Sequence, residues 1–247
     1  MPLTASDVTV LYGQSGGGLG DRTDYSAGFA PVAIIVGDLD GDGRLDLAVA
    51  NHDGNTVSVL YGQPEGGFGG RTDYDVGVWP MDITAADFDD DGRLDLAVIN
   101  NESNWGDISV LYGQPEGGFG GRTDYGTIYC PSQIVAADFN GDGRPDVVVS
   151  NAETGKEVCV FFGQPGGALG GRADYSLSYE GTGIATADFN ADGRLDLTVR
   201  RPCGGLARRG ENVYTDPMLL DVAGALEALP DLSVSGQSRA DARQTAR

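Results

Sequence analysis

Short apolar runs broken by glycine dominate the chain. PVAIIVGD leads into an aspartate-rich loop, and LDLAVAN leaves it with alternating apolar residues. TVSVLYGQ alternates again, and its Val and Tyr suit a pleated, half-buried surface. GGFGG then turns the chain into RTDY. The pattern predicts four short strands per unit.

The unit repeats. VTVLYGQSGGGLGDRTDY from Val8 returns as VSVLYGQPEGGFGGRTDY from Val57, ISVLYGQPEGGFGGRTDY from Ile108 and VCVFFGQPGGALGGRADY from Val158. DLDGDGRLDLAV from Asp38 returns as DFDDDGRLDLAV from Asp87, DFNGDGRPDVVV from Asp138 and DFNADGRLDLTV from Asp188. Both elements step by 49, 51 and 50 residues. Two elements in phase define one structural unit, and four short strands at this period make a β-propeller blade. A solenoid is the other architecture the period allows. The expected class is all-β, with about four blades of four antiparallel strands. The chain begins and ends on half a unit, so the halves either pair and close a ring or leave an open arc.

Composition agrees. Among 247 residues there are 40 Gly and 11 Pro, a turn-rich mixture. Acidic residues number 37 against 16 basic, a net charge of −21. Such a surface repels polyanions and anionic bilayers, so nucleic acid and membrane insertion are excluded as main partners. At least 15 of the acids lie in the four loops. Three cysteines are too few and too scattered for a disulfide framework or a zinc site. Cys159 falls where other units have Ser58 and Ser109, which places it on an outward-facing strand position. Leu19, Phe68, Phe119 and Leu169, in the GGFGG turn and its equivalents, are expected to pack. No apolar run is long enough to span a membrane. Met1 is followed almost at once by repeat sequence, with no signal peptide, so the expectation is a piece of something larger.

The four loops carry the chemistry. Positions 1, 3, 5 and 9 are Asp38, Asp40, Asp42 and Asp46 in the first, and Asp87, Asp89, Asp91 and Asp95 in the second. They are Asp138, Asn140, Asp142 and Asp146 in the third, and Asp188, Asn190, Asp192 and Asp196 in the fourth. Oxygen donors at every second position curl round one centre, as Ca²⁺ with its six or more oxygen ligands requires. Glycine at position 6 permits the turn. Position 7 is Arg44, Arg93, Arg144 and Arg194, whose side chains cannot ligate, so their backbone carbonyls are assigned. About four Ca²⁺ ions are expected, one per loop. An EF-hand would need Glu at position 12 and flanking helices. Position 12 is Val49, Val98, Val149 and Val199, and the flanks alternate as strands do. Carboxylates stacked this closely without a cation would repel one another.

Over roughly residues 8–199 these repeats resemble the FG-GAP or VCBS-type repeats of integrin-like β-propellers. The resemblance implies Ca²⁺ in the loop between the first two strands of each blade. It also implies an extracellular or cell-surface setting, often in adhesion. LAVAN stands where integrins have a GAP-like ending, which favours the VCBS-like branch.

After Arg200 the pattern stops. Residues 1–199 carry 31 acidic and 9 basic residues, and residues 200–247 carry 6 and 7. The expected division is a calcium-binding propeller over 1–204 and a tail over 205–247. Asp216 and Pro217 open a short helix there, followed by disorder. ENVYTDPMLLDVAGALEALP is similar to the C-terminal end of some bacterial tyrosine recombinases, in which Tyr214 would match the nucleophile. That chemistry needs several Arg and His partners, and the single His is His52, so the tail is taken as a remnant.

Aromatic residues precede the first strand of each unit: Phe29, Trp79, Tyr129 and Tyr179. They are expected to ring one mouth of the axis, opposite the loops, with Trp105 on the same side. Such rings stack on sugars or grip a protein loop, or else wedge the blades together. No nucleophile–base–acid set is visible, so an enzyme is not expected. The expected function is a calcium-binding module for adhesion or protein or glycan recognition. A non-catalytic appendage of a larger secreted hydrolase or lyase, and a structural spacer, are the alternatives.

Overall fold

The computed structural model describes residues 6–102, 105–151, 157–177, 181 and 183–200. The chain divides into two units, Met1–Cys203 and Gly204–Arg247. The expected tail, with Tyr214 and its helix, lies outside the described residues.

Sixteen strands occupy the first unit, and among the described residues there is no helix. They are β1 (Asp7–Gly13), β2 (Leu19–Ser26), β3 (Pro31–Gly37), β4 (Asp46–Asn51), β5 (Thr56–Gly62), β6 (Phe68–Asp75), β7 (Pro80–Ala86) and β8 (Asp95–Glu102). After these come β9 (Trp105–Gly113), β10 (Phe119–Tyr129), β11 (Pro131–Ala137), β12 (Asp146–Asn151), β13 (Glu157–Gly163), β14 (Leu169–Ser176), β15 (Gly183–Ala187) and β16 (Asp196–Arg200). Three four-stranded antiparallel meanders result, β3 to β6, β7 to β10 and β11 to β14, flanked by the two-stranded sheets β1–β2 and β15–β16. This is the expected propeller-like, all-β arrangement. Among the described residues β1 pairs only with β2 and β16 only with β15, so the two half-units do not close a ring.

Each blade's first strand starts on proline, at Pro31, Pro80 and Pro131. That strand lies at the edge of its sheet, where a missing N–H costs no ladder bond. The first strands stand side by side, β3 against β7, β7 against β11 and β11 against β15. Two side chains tie them together. Asp82 Oδ2 accepts the Ile134 N–H at 3.1 Å, and Gln133 Oε1 accepts the Ile184 N–H at 2.8 Å.

The second strands are buried along their whole length in β4 and β12, because each is covered by a neighbouring blade on both faces. The one-sided alternation expected there is thus overridden. The third strands are nearly as buried, and Ser58, Ser109 and Cys159 are fully enclosed, not outward-facing. Polar side chains compensate. Asn51 donates to Ser58 at 2.8 Å, and Ser58 donates to Asp73 at 2.6 Å. The Cys159 thiol meets Thr127 Oγ1 at 3.1 Å, and burial pushes its pKa up to about 11.

The glycine turn has one geometry throughout. Gln63 N–H donates to the Gly67 carbonyl at 3.0 Å, and Gly66 and Gly67 have φ of 89° and 75°, open only to glycine at low cost. Each turn sits on tyrosines of the preceding unit. Tyr25 meets Phe68 edge-on at 5.2 Å, Tyr74 meets Phe119 at 5.4 Å, and Tyr112 Oη donates to the Gly167 carbonyl at 3.0 Å. Phe119 and Leu169 are buried as expected. Leu19, expected to pack, is exposed, with no ring contact to a tyrosine among the described residues.

Candidate metal centres

Each aspartate loop joins the first strand of a sheet to the second, between β3 and β4, β7 and β8, β11 and β12, and β15 and β16. Backbone N–H groups shape it. Asp38 Oδ2 accepts from Gly43 at 3.0 Å, Asp40 Oδ1 from Asp42 at 3.1 Å, and Asp42 Oδ1 from Arg44 at 2.9 Å. The second loop repeats this, with Asp87 accepting from Asp91 and Gly92 and Asp91 from Arg93. The inward bonds hold the carboxylates close. In the first loop, oxygens of Asp38, Asp40 and Asp42 lie within 4.8 Å of one another, and in the second those of Asp87, Asp89 and Asp95 do.

Two oxygens in these clusters are buried without a hydrogen-bond partner, Asp38 Oδ1 and Asp89 Oδ1. A buried carboxylate oxygen left bare is costly, and a hard cation satisfies it. Burial, with Asp91 and Asp87 close by, raises the Asp89 carboxyl above its ordinary value. Burial likewise pushes Asp95 up to about 6. The donor set fits a divalent cation of oxygen preference.

The third and fourth loops have the same backbone scaffold with an amide at position 3. Asn140 Oδ1 accepts from Asp142 at 2.8 Å, and Asn190 Oδ1 from Asp192 at 2.9 Å. Asp138 accepts from Gly141, Asp142 and Gly143. Burial alone would raise its carboxyl, but these donors outweigh it and hold it below the usual range. Among the described residues, three carboxylates converge only in the first two loops.

Position 9 has a second duty. Asp46 Oδ2 accepts the Leu39 N–H at 2.8 Å and Oδ1 the Gly62 N–H at 2.7 Å. Asp95 does the same with Phe88 and Gly113, and Asp146 with Phe139 and Gly163. This carboxylate staples the loop to the third strand. Position 7 joins it from the other side, a role that sequence reasoning missed. Arg44 Nε donates to the Gly62 carbonyl at 2.9 Å, Arg93 to Gly113 at 3.2 Å and Arg144 to Gly163 at 3.2 Å. The same guanidinium groups pair with Asp42, Asp91 and Asp142. The signal was present as an arginine and a third-strand glycine repeated in phase.

The aromatic residues precede the first strands and so lie at the ends remote from the loops. Phe29 and Trp79 are exposed and Tyr129 is half-buried. Tyr179 and the Trp105 side chain lie outside the described residues. Trp79 aligns with Ala30 and Cys130, not with Phe29 and Tyr129. All three have positive φ, 56° at Trp79, and precede a proline. Trp79 stacks on His52 with ring planes 4° apart and centroids 5.9 Å apart, while His52 Nδ1 lies 2.6 Å from Asp53.

A family described as FG-GAP-like repeat matches three overlapping stretches, residues 38–98, 87–149 and 138–199. No curated protein matches the chain in sequence. Among solved structures, the chain is similar to a functionally unknown protein from Desulfotomaculum acetoxidans DSM 771, at 17% identity and a TM-score of 0.49, covering 71% of this chain and 56% of that one. It is also similar to the V. cholerae biofilm matrix protein Bap1, at 18% identity and a TM-score of 0.32, covering 71% and 32%. A third is BBS1N in complex with ARL6DN, at 13% identity and a TM-score of 0.30, covering 64% and 60%. The chain therefore spans less than two thirds of each of these.

Proposed function

The chain belongs to the FG-GAP-like repeat family, and from that premise we propose that it is a calcium-stabilised recognition module of an extracellular or cell-surface protein. The observation that carries the calcium part is the pair of buried, partnerless oxygens, Asp38 Oδ1 and Asp89 Oδ1, inside converging carboxylates. Asp38, Asp40, Asp42 and Asp46, with the Arg44 carbonyl, would hold Ca²⁺ in the first loop, and the corresponding residues in the others. When bound, Ca²⁺ neutralises the repulsion within each loop and locks the turn between first and second strands. Its role is structural.

The loops are alike, so they offer little selectivity. The opposite end carries Phe29, Trp79 and His52, which differ from unit to unit, and an exposed indole suits a sugar ring or an apolar protein loop. We infer no nucleic-acid partner, because the acidic surface repels polyanions. No described helix is long and apolar enough to cross a membrane.

Melting in chelator and in 10 mM Ca²⁺ tests the calcium part. Extracellular sites bind at about 10⁻⁴–10⁻³ M, so each filled site should add roughly 1.4–2.7 kcal/mol at that concentration. Identical melting curves would refute it. Glycan-array binding lost in Trp79→Ala, with the melting curve unchanged, supports the aromatic face; retained binding refutes it.

A further inference from the structure

Two of the glycine turns reach an aspartate loop of the blade before them. Gly117, between β9 and β10, lies against Asp40, so that a Cβ on it would stand 3.4 Å from the Asp40 Cβ. Gly167, the equivalent residue between β13 and β14, lies closer still. A Cβ on it would stand 2.5 Å from the Asp89 Cβ and 3.0 Å from the Asp89 Cα. Only a residue without a side chain lets the turn down so far.

Asp40 and Asp89 both hold position 3 and both belong to the converging carboxylates. They are half-buried. Their equivalents Asn140 and Asn190 meet no turn glycine among the described residues, and they are exposed. The turn is what covers position 3.

Tyr112 ties the two parts together. Its Oη donates to the Gly167 carbonyl at 3.0 Å. Its chain neighbour Gly113 donates its N–H to Asp95 of the second loop at 2.7 Å. The loop thus grips β9, and β9 grips the next blade's turn.

Covering position 3 has an electrostatic consequence. Asp89 Oδ1 is buried without a hydrogen-bond partner. With the turn lifted, water reaches that oxygen. With the turn down, a cation in the loop satisfies it. An ion therefore favours the seated turn, and by linkage the seated turn favours the ion by the same factor.

We propose, resting on the calcium reading above, that the glycine turn of a following blade is a positioning element of the calcium loop before it, Gly117 for the first loop and Gly167 for the second. An ion held between two strands of one blade then fastens the next blade to it.

Gly66 supplies the control. It has the same φ of 89° as Gly167, yet a Cβ on it would meet nothing within 4 Å. Gly66→Ala carries the backbone strain alone. In the test, Ca²⁺ is titrated into the chelator-stripped full chain, and amide NMR signals of Gly92 and Gly43 report the second and first loops separately. Gly167→Ala should weaken binding at Gly92 about tenfold, within the ordinary range of coupling between sites, and leave Gly43 within about twofold. Gly66→Ala should leave both within about twofold. Tyr112→Phe removes the bond to the turn without touching either backbone, and should weaken Gly92 about threefold. In the unaltered protein Ca²⁺ should slow hydrogen exchange of the Gly167 N–H, which closes its turn on the Gln164 carbonyl at 3.3 Å. Asp89→Ala should abolish that slowing at Gly167 and keep it at Gly117. Equal Gly92 affinities in the unaltered protein, Gly167→Ala and Tyr112→Phe overturn the proposal. So does a loss in Gly66→Ala as large as that in Gly167→Ala, which would mean strain alone. Loop amides that all ignore Ca²⁺ sink the calcium reading and this one with it, whereas a Gly92 response indifferent to the turn sinks the coupling only.

Discussion

Asp46, Asp95 and Asp146 spend both carboxylate oxygens on buried backbone N–H groups, Asp95 converging with Asp87 and Asp89 as well, while Asp40 and Asp89 belong to the clusters and Asn140 holds the equivalent position in the third loop. Substitution should separate the two kinds. Asp146→Ala orphans the N–H groups of Phe139 and Gly163, at roughly 1–3 kcal/mol each, and should lower Tm in chelator as well as in calcium. Asn140→Asp adds a carboxylate to the third loop and should raise its Ca²⁺ affinity in calorimetry, with little change of Tm in chelator. The spacing of loop acids was legible in the sequence because ligation is local. The bracing by Asp46 and Arg44 was not, because Gly62 lies 16 and 18 residues away and the bonds exist only once β5 is in place. Trp79 shows another limit. Aligned by type it matched Phe29, but its left-handed backbone shows that its position is that of Ala30. An L-residue there costs roughly 1–2 kcal/mol. Trp79→Gly should therefore keep Tm within ~3 °C while removing the stack on His52, measured by melting alongside ligand binding.

Strand existence and order followed from the alternating runs, since each blade is a meander with local pairing. Burial did not follow. A residue pointing away from its own blade's inner face still meets the next blade, so Ser58, Ser109 and Cys159 are enclosed where a single sheet would expose them. Ile99, fully buried in β8, should cost about 2–5 kcal/mol as alanine, read from denaturant midpoints in chelator. The side-by-side first strands carry a pH dependence. Asp82 is half-buried, and desolvation raises its carboxyl above the ordinary range even though Ile134 and Ile83 donate to it. The folded state then holds that proton more tightly than the unfolded one, and stability falls as pH rises through the raised value. In chelator, Tm should fall from pH 4 towards pH 7, and Asp82→Asn should lessen that slope, the remainder coming from other raised carboxyls such as Asp95. Gln133, the neutral equivalent, already makes the same cross-blade bond.

At the scale of the whole molecule, fifty-residue periodicity announced the propeller-like body. It left closure open, because equivalent half-units look alike whether or not they meet. The blades are joined mainly to their neighbours, so loss of one loop's cation should unsettle one blade first. Asp89→Ala should shift hydrogen exchange in β7 and β8 while β11 and β12 hold their protection. The glycine turns give the row a direction. Each Phe68-type turn settles on tyrosines already laid down by the unit before it, Tyr25 beneath Phe68 and Tyr74 beneath Phe119. During synthesis at about 5–20 residues per second, a new unit leaves the ribosome every few seconds. What it lands on is finished ahead of it. A nascent chain can therefore assemble like roof tiles laid from one gable, each course seated on the last, with no tile waiting for one not yet made.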